Sequence, residues 1–382
     1  MAVTTTRTIS GRDVATGAGV RVVVEGARVT AVERGGPATG PWIAPGFVDL
    51  QVNGFGGHDV NAEVLEPSAI SAITAALAGR GVTTWVPTVI TGTEEQITAR
   101  LDAVTAARKD DPAVAAAVPF VHVEGPFLSS IDGPRGVHDP AAIRPIDADE
   151  VHRWTAHGEV GYVTLSPHDD DAPVQIARIV AHGVAVAIGH THADPARITR
   201  AVEAGATLST HLGNGISAEL PRHPNPIWTQ LADERLRCGL IGDGHHLPAE
   251  TFVAMTRALG PERAFLVSDA VELAGAAPGR HRTTVGGEVL LTADGRLSYP
   301  DTGYLAGSAM SLADCVRWVT ATPLGLATAV RMATELPGRI VGDLTGGVFD
   351  AGRLAAGSPA DIVILDDEGR VVETIAGGRT VA

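Results

Sequence analysis

Two histidines and two acidic residues stand at the ends of short apolar runs that are rich in β-branched residues. Glu124 ends PFVHVE, His190 ends VAVAIGH, His211 ends TLSTH and Asp269 ends AFLVSD. Two imidazoles and a carboxylate suit a hydrolytic metal site, because they leave a coordination position for a water molecule. We therefore predict that Glu124, His190 and His211 bind one divalent metal ion. A carboxylate beside that ion can take the proton of the water and hand it to a leaving amine, which is the role predicted for Asp269.

Two observations indicate one metal ion rather than two. Gln51 and Asn53 occupy the first run, where a two-metal hydrolase needs imidazoles or carboxylates, and neutral amides are poor ligands for such a metal. A bridging carbamate would need a lysine at the fourth run, but the only lysine is Lys109, at the end of a predicted helix. Zinc is the expected ion, and iron or another divalent metal is the alternative, since this ligand set accepts several metals.

The four residues belong to a pattern of eight β-rich runs that alternate with segments of helical periodicity or good helix formers. Eight such units in sequence are typical of an α/β fold, the (β/α)8 TIM barrel, whose catalytic groups lie at the C-terminal ends of its strands. We therefore expect the four residues to converge around one mouth of the barrel. The predicted strands are residues 46–52, 83–89, 119–124, 161–166, 184–190, 207–211, 238–243 and 264–269.

Both ends of the chain differ from the barrel pattern, because they are rich in β-branched residues and turn dipeptides. We predict that residues 1–43 and 346–382 form one small, discontinuous β-sandwich domain beside a barrel of residues 44–345. Residues 282–300 have the pattern of a hairpin with Asp294 and Gly295 at its turn. This hairpin is either a lid over the barrel mouth or a plain surface excursion.

Composition narrows the class of partner. The formal net charge of −15 disfavours nucleic acid and anionic membranes, because both need Lys and Arg to replace counterions. The two cysteines, Cys238 and Cys315, are too few for a disulfide framework or a thiolate cluster. No run approaches the length of a membrane span, and the first residues lack the apolar block of a signal peptide. We expect a cytoplasmic protein that acts on a small molecule.

Several ordered segments resemble the motifs of the N-acetylglucosamine-6-phosphate deacetylases, a family of the amidohydrolase superfamily. The segments are APGFVDLQVNGFGGHDV, HVEGPFLS, RGVH, IGHTHAD, STHLGNGI, GLIGDGHHL, LVSDA and LAGSAMSL. The resemblance implies the roles given above to the metal ligands and Asp269. It also implies that His138 polarises the acetyl carbonyl and holds the oxyanion. Asn214, Arg222 and His246 would bind the phosphate, with Arg222 reaching the active site of a neighbouring subunit in a homodimer.

The resemblance implies hydrolysis of N-acetylglucosamine-6-phosphate to glucosamine-6-phosphate and acetate in amino-sugar catabolism. The chain departs from the family pattern at Gly213, Gly215 and Ile216, across residues 222–228, and at His168. These positions concern the sugar and phosphate pocket rather than the metal ligands. Two alternatives therefore stay open: a deacylase for another N-acyl amino sugar phosphate or an N-acyl-D-amino acid, and a non-catalytic sugar-binding member of the fold.

Overall fold

A computed structural model describes residues 6–283 and 287–381 of the chain. The strands are β1 (Thr6–Asp13), β2 (Gly19–Glu25), β3 (Arg28–Arg34), β4 (Trp42–Pro45), β5 (Phe47–Val52), β6 (Gly54–Phe55), β7 (His58–Asp59), β8 (Val82–Ile90), β9 (Val121–Glu124), β10 (Val160–Leu165), β11 (Ala185–Ile188), β12 (Leu208–Ser209), β13 (Arg237–Ile241), β14 (Ala264–Val267), β15 (Gly279–Thr283), β16 (Gly287–Leu291), β17 (Leu297–Ser298), β18 (Ile362–Leu365), β19 (Val371–Ala376) and β20 (Arg379–Val381). The helices are α1 (Pro67–Ala78), α2 (Glu94–Asp110), α3 (Pro112–Ala117), α4 (Ala148–Trp154), α5 (Ala172–Ala181), α6 (Pro195–Glu203), α7 (Pro226–Ala232), α8 (Ala249–Leu259), α9 (Leu312–Thr320), α10 (Gly325–Ala333) and α11 (Glu335–Leu344).

The largest sheet is a parallel barrel, which confirms the predicted fold class. Its eight strands follow the order β5, β8, β9, β10, β11, β12, β13, β14, and each of them lies within or overlaps a predicted run. The two ends of the sheet meet where the Asp269 amide donates to the Gln51 carbonyl at 3.0 Å and the Asn53 amide donates to the Ala270 carbonyl at 2.8 Å. Because all eight strands run in the same direction, their carboxyl ends surround one mouth.

Helix caps fix the points at which the chain leaves the barrel mouth. Thr93 and Gln96 form a reciprocal capping box at the start of α2. Asp194 accepts a hydrogen bond from the Arg197 amide at the start of α6, directly before a proline that suits the first helical position. The loop that carries His190 is consequently short, running only from the end of β11 to Asp194. Large apolar side chains, including Trp85 and Trp154, fill the space between strands and helices.

Strands from both ends of the chain form the second domain. They are hydrogen-bonded in the order β20, β19, β18, β4, β1, β2, β3 as one continuous sheet of seven strands. This sheet has a separate apolar core that includes Val22, Ile43, Ile362 and Ile375. A small β-domain built from both termini is thereby confirmed, and the predicted boundaries at residues 43/44 and 345/346 stay a prediction.

The excursion that follows the barrel strands is a packed three-stranded sheet of β15, β16 and β17. Gly295, with a φ of 89°, lies in the tight turn between β16 and β17, as the Asp294–Gly295 dipeptide predicts. Val289, Leu291 and Leu297 form a small core beneath it. In the part of the chain that the structure describes, no helix is long and apolar enough to cross a membrane.

Helix α11 offers a matched pair of glycines with which to test the packing beside the second domain. A Cβ added at Gly338 would lie 2.3 Å from the Ala351 carbonyl oxygen, whereas one added at Gly342 would meet nothing within 4 Å. We expect Gly338→Ala to lower the free energy of unfolding by about 1–3 kcal/mol, because the backbone must move. Gly342→Ala, one turn later, should raise it by about 0.5–1 kcal/mol. Denaturant titrations of both variants measure this, and equal midpoints would contradict the packing described.

Candidate metal centre

The three predicted metal ligands meet at the barrel mouth. The Glu124 carboxylate oxygen Oε1 lies 3.1 Å from Nε2 of His211 and 3.4 Å from Nε2 of His190. The two Nε2 atoms are 3.1 Å apart. All three side chains are buried, and they are the group that could hold a metal ion among the described residues. The sequence prediction of where these ligands lie thus agrees with the geometry.

Three of the polar side chains at the barrel mouth are carried by strained backbone. His190, His211 and Asp269 have φ values of 47°, 30° and 52°, and they are the non-glycine residues with positive φ in the described parts of the chain. Each follows the last residue of its strand, β11, β12 or β14, by two positions. A non-glycine residue in this region is strained by about 1–3 kcal/mol, and such strain concentrates at functional sites. The strain marks the turn by which each strand directs its side chain towards the cavity.

The chemistry of the donor atoms fits a cation. Nδ1–H of His190 donates to the Pro134 carbonyl at 2.8 Å, so that in the neutral imidazole Nε2 carries a lone pair. Burial alone would raise the pKa of Glu124, but the imidazoles of His190 and His211 outweigh it and hold that pKa well below its usual value. When both imidazoles are deprotonated at Nε2, as metal binding requires, their lone pairs and the carboxylate repel one another unless a positive charge lies between them. A divalent ion supplies that charge.

Two amides hold the acidic side chains in place. Nε2 of Gln51 donates to Oε1 of Glu124 at 3.0 Å, and Nδ2 of Asn53 donates to Oδ1 of Asp269 at 2.7 Å. From the sequence, Gln51 and Asn53 were interpreted only as poor metal ligands, and their role in orienting the two carboxylates was missed. The spacing of two residues on one strand, opposite two acidic strand ends, was the available signal.

Asp269 is half-buried and lines the cavity beside the predicted metal ligands. Burial raises its pKa, and the nearby Glu124 carboxylate raises it further. A raised pKa makes this carboxylate a better proton acceptor than a free aspartate, which suits a group that takes up a proton and passes it on.

His138 is buried next to the ligand group. Its Nδ1 lies 2.9 Å from the Thr91 hydroxyl, and its Nε2 lies 3.4 Å from Nε2 of His190. Burial, followed by the charge of His190, lowers the pKa of His138 to about 3. The imidazole is therefore neutral, and the tautomer selected with Thr91 decides whether Nε2 donates or accepts.

A cavity of about 610 Å³ opens in front of these groups. Asn214 and His246 line it, and His246 is held by a hydrogen bond between its Nδ1 and Oδ2 of Asp243 at 2.7 Å. Burial would raise the pKa of Asp243, but the contacts with His246 dominate and lower it to about 2. Arg222 is exposed and lies outside the set of described residues that line the cavity.

Two glycines explain part of the departure from the family pattern after His211. Gly215 has a φ of 57°, and a Cβ there would lie 2.9 Å from Nδ1 of His190. Gly213 has a φ of 95°, and a Cβ there would lie 3.1 Å from the Leu247 side chain. The loop therefore packs directly against the His190 imidazole, which a larger side chain would displace.

The excursion β15–β17 forms one wall of the cavity, through residues that the sequence did not single out. This wall includes Arg296, Tyr299 and Tyr304, and Asp59 and Glu272 lie elsewhere in the lining. Only the position of the hairpin after the eighth strand signalled such a wall. Whether it moves as a lid stays a prediction.

Two other histidines lie apart from the cavity lining described. His122 is inside the barrel, stacked on Tyr162 at 4.1 Å between ring centroids, with its Nε2 2.7 Å from the Thr164 hydroxyl. It fills the barrel interior beneath the site. Nδ1 of His168 lies 2.7 Å from the Ser166 hydroxyl, in the loop after β10.

Comparison with known proteins decides the family. The amidohydrolase family model matches residues 42–381. The chain belongs to the amidohydrolase family. An N-acetylgalactosamine-6-phosphate deacetylase from Shewanella sp. (strain ANA-3) is 35% identical over 88% of this chain and 82% of its own length. An N-acetylglucosamine-6-phosphate deacetylase from Mus musculus is 32% identical over 89% of this chain and 83% of its own length.

Solved structures agree with this assignment. A mutant of N-acetyl-D-glucosamine-6-phosphate deacetylase from Mycobacterium smegmatis, in complex with N-acetyl-D-glucosamine-6-phosphate, has a TM-score of 0.84 and 28% identity. The match covers 98% of this chain and 99% of that one. The resemblance stated from the motifs is confirmed, and this amidohydrolase is similar in both sequence and fold to the deacetylase group.

The contact between Gln51 and Glu124 can be tested through metal affinity. We expect Gln51→Leu to raise the dissociation constant for zinc by about 10-fold to 100-fold, because the carboxylate loses the donor that orients it. A competition titration with a chromophoric chelator measures this constant. Gln230→Leu is the matched control, since it removes a buried amide that contacts Ser209 and Pro226 but not Glu124. Equal affinities in folded Gln51→Leu and wild-type protein would exclude the positioning role.

Proposed function

We propose that this amidohydrolase removes the acetyl group of N-acetylglucosamine-6-phosphate by hydrolysis, yielding glucosamine-6-phosphate and acetate. The observation that carries the proposal is the buried group of Glu124, His190 and His211, with Asp269 on the wall of the same cavity. Its similarity over most of the chain to named deacetylases of hexosamine 6-phosphates supports the substrate class.

Within this proposal, Glu124, His190 and His211 hold one divalent ion. When bound, such an ion polarises the amide carbonyl and lowers the pKa of the attacking water. We propose zinc, with iron or another divalent metal as the alternative, since two imidazoles and one carboxylate suit several ions. The use of Gln51 and Asn53 as hydrogen-bond donors supports a count of one.

Asp269 moves the proton in this mechanism. It accepts the proton that the water loses as the water oxygen bonds to the carbonyl carbon, and it passes that proton to the amine nitrogen as the C–N bond breaks. The Asn53 amide donates to Oδ1 of Asp269, and we assign the proton exchange to Oδ2. His138 would donate from Nε2 to the developing oxyanion, in the tautomer whose Nδ1 accepts from the Thr91 hydroxyl in place of the Glu124 carbonyl, which that hydroxyl also reaches at 3.3 Å.

Recognition of the sugar phosphate is assigned to Asn214, His246 and Arg222. The first two line the cavity, which supports a direct contact with substrate. The exposure of Arg222 is compatible with the proposed homodimer, in which this guanidinium would enter the cavity of the neighbouring subunit. A cytoplasmic location stays a prediction.

One specific observation favours a second candidate substrate. The Shewanella relative is named for N-acetylgalactosamine-6-phosphate, and its 35% identity exceeds the 32% of the murine relative. The glycines at positions 213 and 215 flank Asn214, and Gly215 and Asn214 both line the cavity, so this departure from the family pattern lies beside a proposed substrate contact. A deacetylase for the galactosamine epimer would use the same chemistry. Deacylation of N-acyl-D-amino acids and a purely sugar-binding role are the remaining alternatives.

Replacement of the proton carrier tests the mechanism. Asp269→Asn should preserve zinc content while lowering kcat by about 10²-fold to 10⁴-fold, because the amide keeps the shape but cannot carry the proton. Acetate release and metal analysis on the same preparation measure both quantities. Turnover near that of the wild type would exclude the proton-transfer role assigned to Asp269.

A substrate panel tests the proposed reaction. Acetate release should be fastest from one of the two phosphorylated sugars, N-acetylglucosamine-6-phosphate or N-acetylgalactosamine-6-phosphate, with the plain sugars far slower. Their ratio of kcat/KM decides between the epimers. Preferential turnover of an N-acyl-D-amino acid, or no release from any N-acyl compound despite bound zinc, would refute the proposal.

A further inference from the structure

The cavity wall contributed by the excursion contains a guanidinium for which the proposed chemistry has no use. Arg296 is the one permanently charged cation among the described residues that line the cavity. Four carboxylates, those of Asp59, Glu124, Asp269 and Glu272, share the lining with it. An anionic substrate entering such a cavity needs a fixed positive charge in addition to the metal ion.

The guanidinium of Arg296 has N–H groups that remain available to a ligand. Nη2 donates to the Gly303 carbonyl at 2.7 Å. Among the described residues, Arg296 forms no ion pair. Arg280, on the same excursion, pairs with Glu288. The remaining N–H groups of Arg296 can therefore bind a ligand, and a guanidinium presents them in the paired geometry that phosphate oxygens accept.

The backbone holds Arg296 in a fixed turn. The Thr292 amide donates to the Arg296 carbonyl at 2.9 Å, and the Arg296 amide donates to the Thr292 hydroxyl at 3.1 Å. The same turn docks on the loop after β13, because Nε2 of His245 donates to the Asp294 carbonyl at 3.0 Å. That loop also carries His246, so the two elements that bear Arg296 and His246 are joined at the cavity.

We propose that Arg296 binds the phosphate monoester of the sugar phosphate within its own chain, next to His246. This inference rests on the proposed function, because it names the residue that recognises the phosphate in that reaction. It adds, within one chain, a second cationic contact to the one that the proposed function takes from Arg222 of a neighbouring subunit, because Arg222 is exposed and lies outside the described lining. The excursion β15–β17 thereby contributes to substrate specificity.

The test compares phosphorylated and plain N-acetylhexosamine as substrates of the full-length, zinc-loaded enzyme. Arg296→Ala should raise KM for the phosphorylated sugar by about 10-fold to 100-fold, the range expected for charged hydrogen bonds. The loss should be much smaller for the plain sugar, so that the preference for phosphate falls by a similar factor. Arg296→Lys, which keeps the charge but not the fork, should lie between the two.

Arg280→Ala is the matched control, because Arg280 lies on the same excursion, is exposed and is not part of the lining described. It should keep the phosphate preference of the wild type. Thermal midpoints of all variants separate loss of binding from loss of folding. A preserved preference in folded Arg296→Ala, or equal losses on both sugars, would overturn the assignment.

Binding of inorganic phosphate provides a second arm that does not depend on turnover. Isothermal titration calorimetry should show a phosphate dissociation constant raised by about 10-fold or more in Arg296→Ala. Unchanged phosphate affinity there, with a loss in Arg222→Ala, would place the phosphate contact in the neighbouring subunit and refute the proposal. Failure of the wild-type enzyme to release acetate from any hexosamine phosphate would instead refute the proposed function.

Discussion

The central constraint of this structure is the approach of electron-rich atoms inside a barrel mouth. Glu124 offers a carboxylate oxygen and His190 a lone pair, and both face His211 within about one hydrogen-bond length. Such atoms are destabilised when they are buried together, unless a cation neutralises them. The strained backbone at His190 and His211 adds to that unfavourable energy. The site is therefore built for a bound ion, and the surrounding structure must hold it open.

The barrel holds the site open because its strands form one closed ring. Glu124 lies at the end of β9, while Gln51 lies on β5 and Asn53 directly follows that strand, far away in sequence. Hydrogen bonds between β5 and the residues after β14 bring Asn53 to Asp269. Helix caps such as Asp194 keep the loops that follow the barrel strands short. The candidate metal centre and Asp269 are consequently fixed relative to each other by backbone that has few ways to move.

The metal centre could be predicted from the sequence because it depends on strand ends, which apolar runs and the polar residues after them reveal. Contacts between distant segments left no such signal. The amide of Gln51 gains its role only when Glu124 lies opposite, and Asp243 matters only through the imidazole that it holds. In the sequence, Arg296 is an ordinary turn residue, and only the packing of the excursion places it on the cavity wall. Joining the terminal strands into one sheet was likewise decided by pairing between β4 and β18.

The residues proposed for chemistry and those proposed for recognition thus lie on different parts of the fold. The ligands follow barrel strands, whereas Asn214 and Arg296 lie on loops and on an excursion whose residues can change without disturbing the ring. Relatives named for epimeric sugar phosphates match nearly the same share of this chain, which fits such a division. Epimers differ in the direction of one hydroxyl, so discrimination between them needs only a change in the pocket wall. The candidate metal centre indicates the reaction, and we assign the choice of sugar to the surrounding cavity wall.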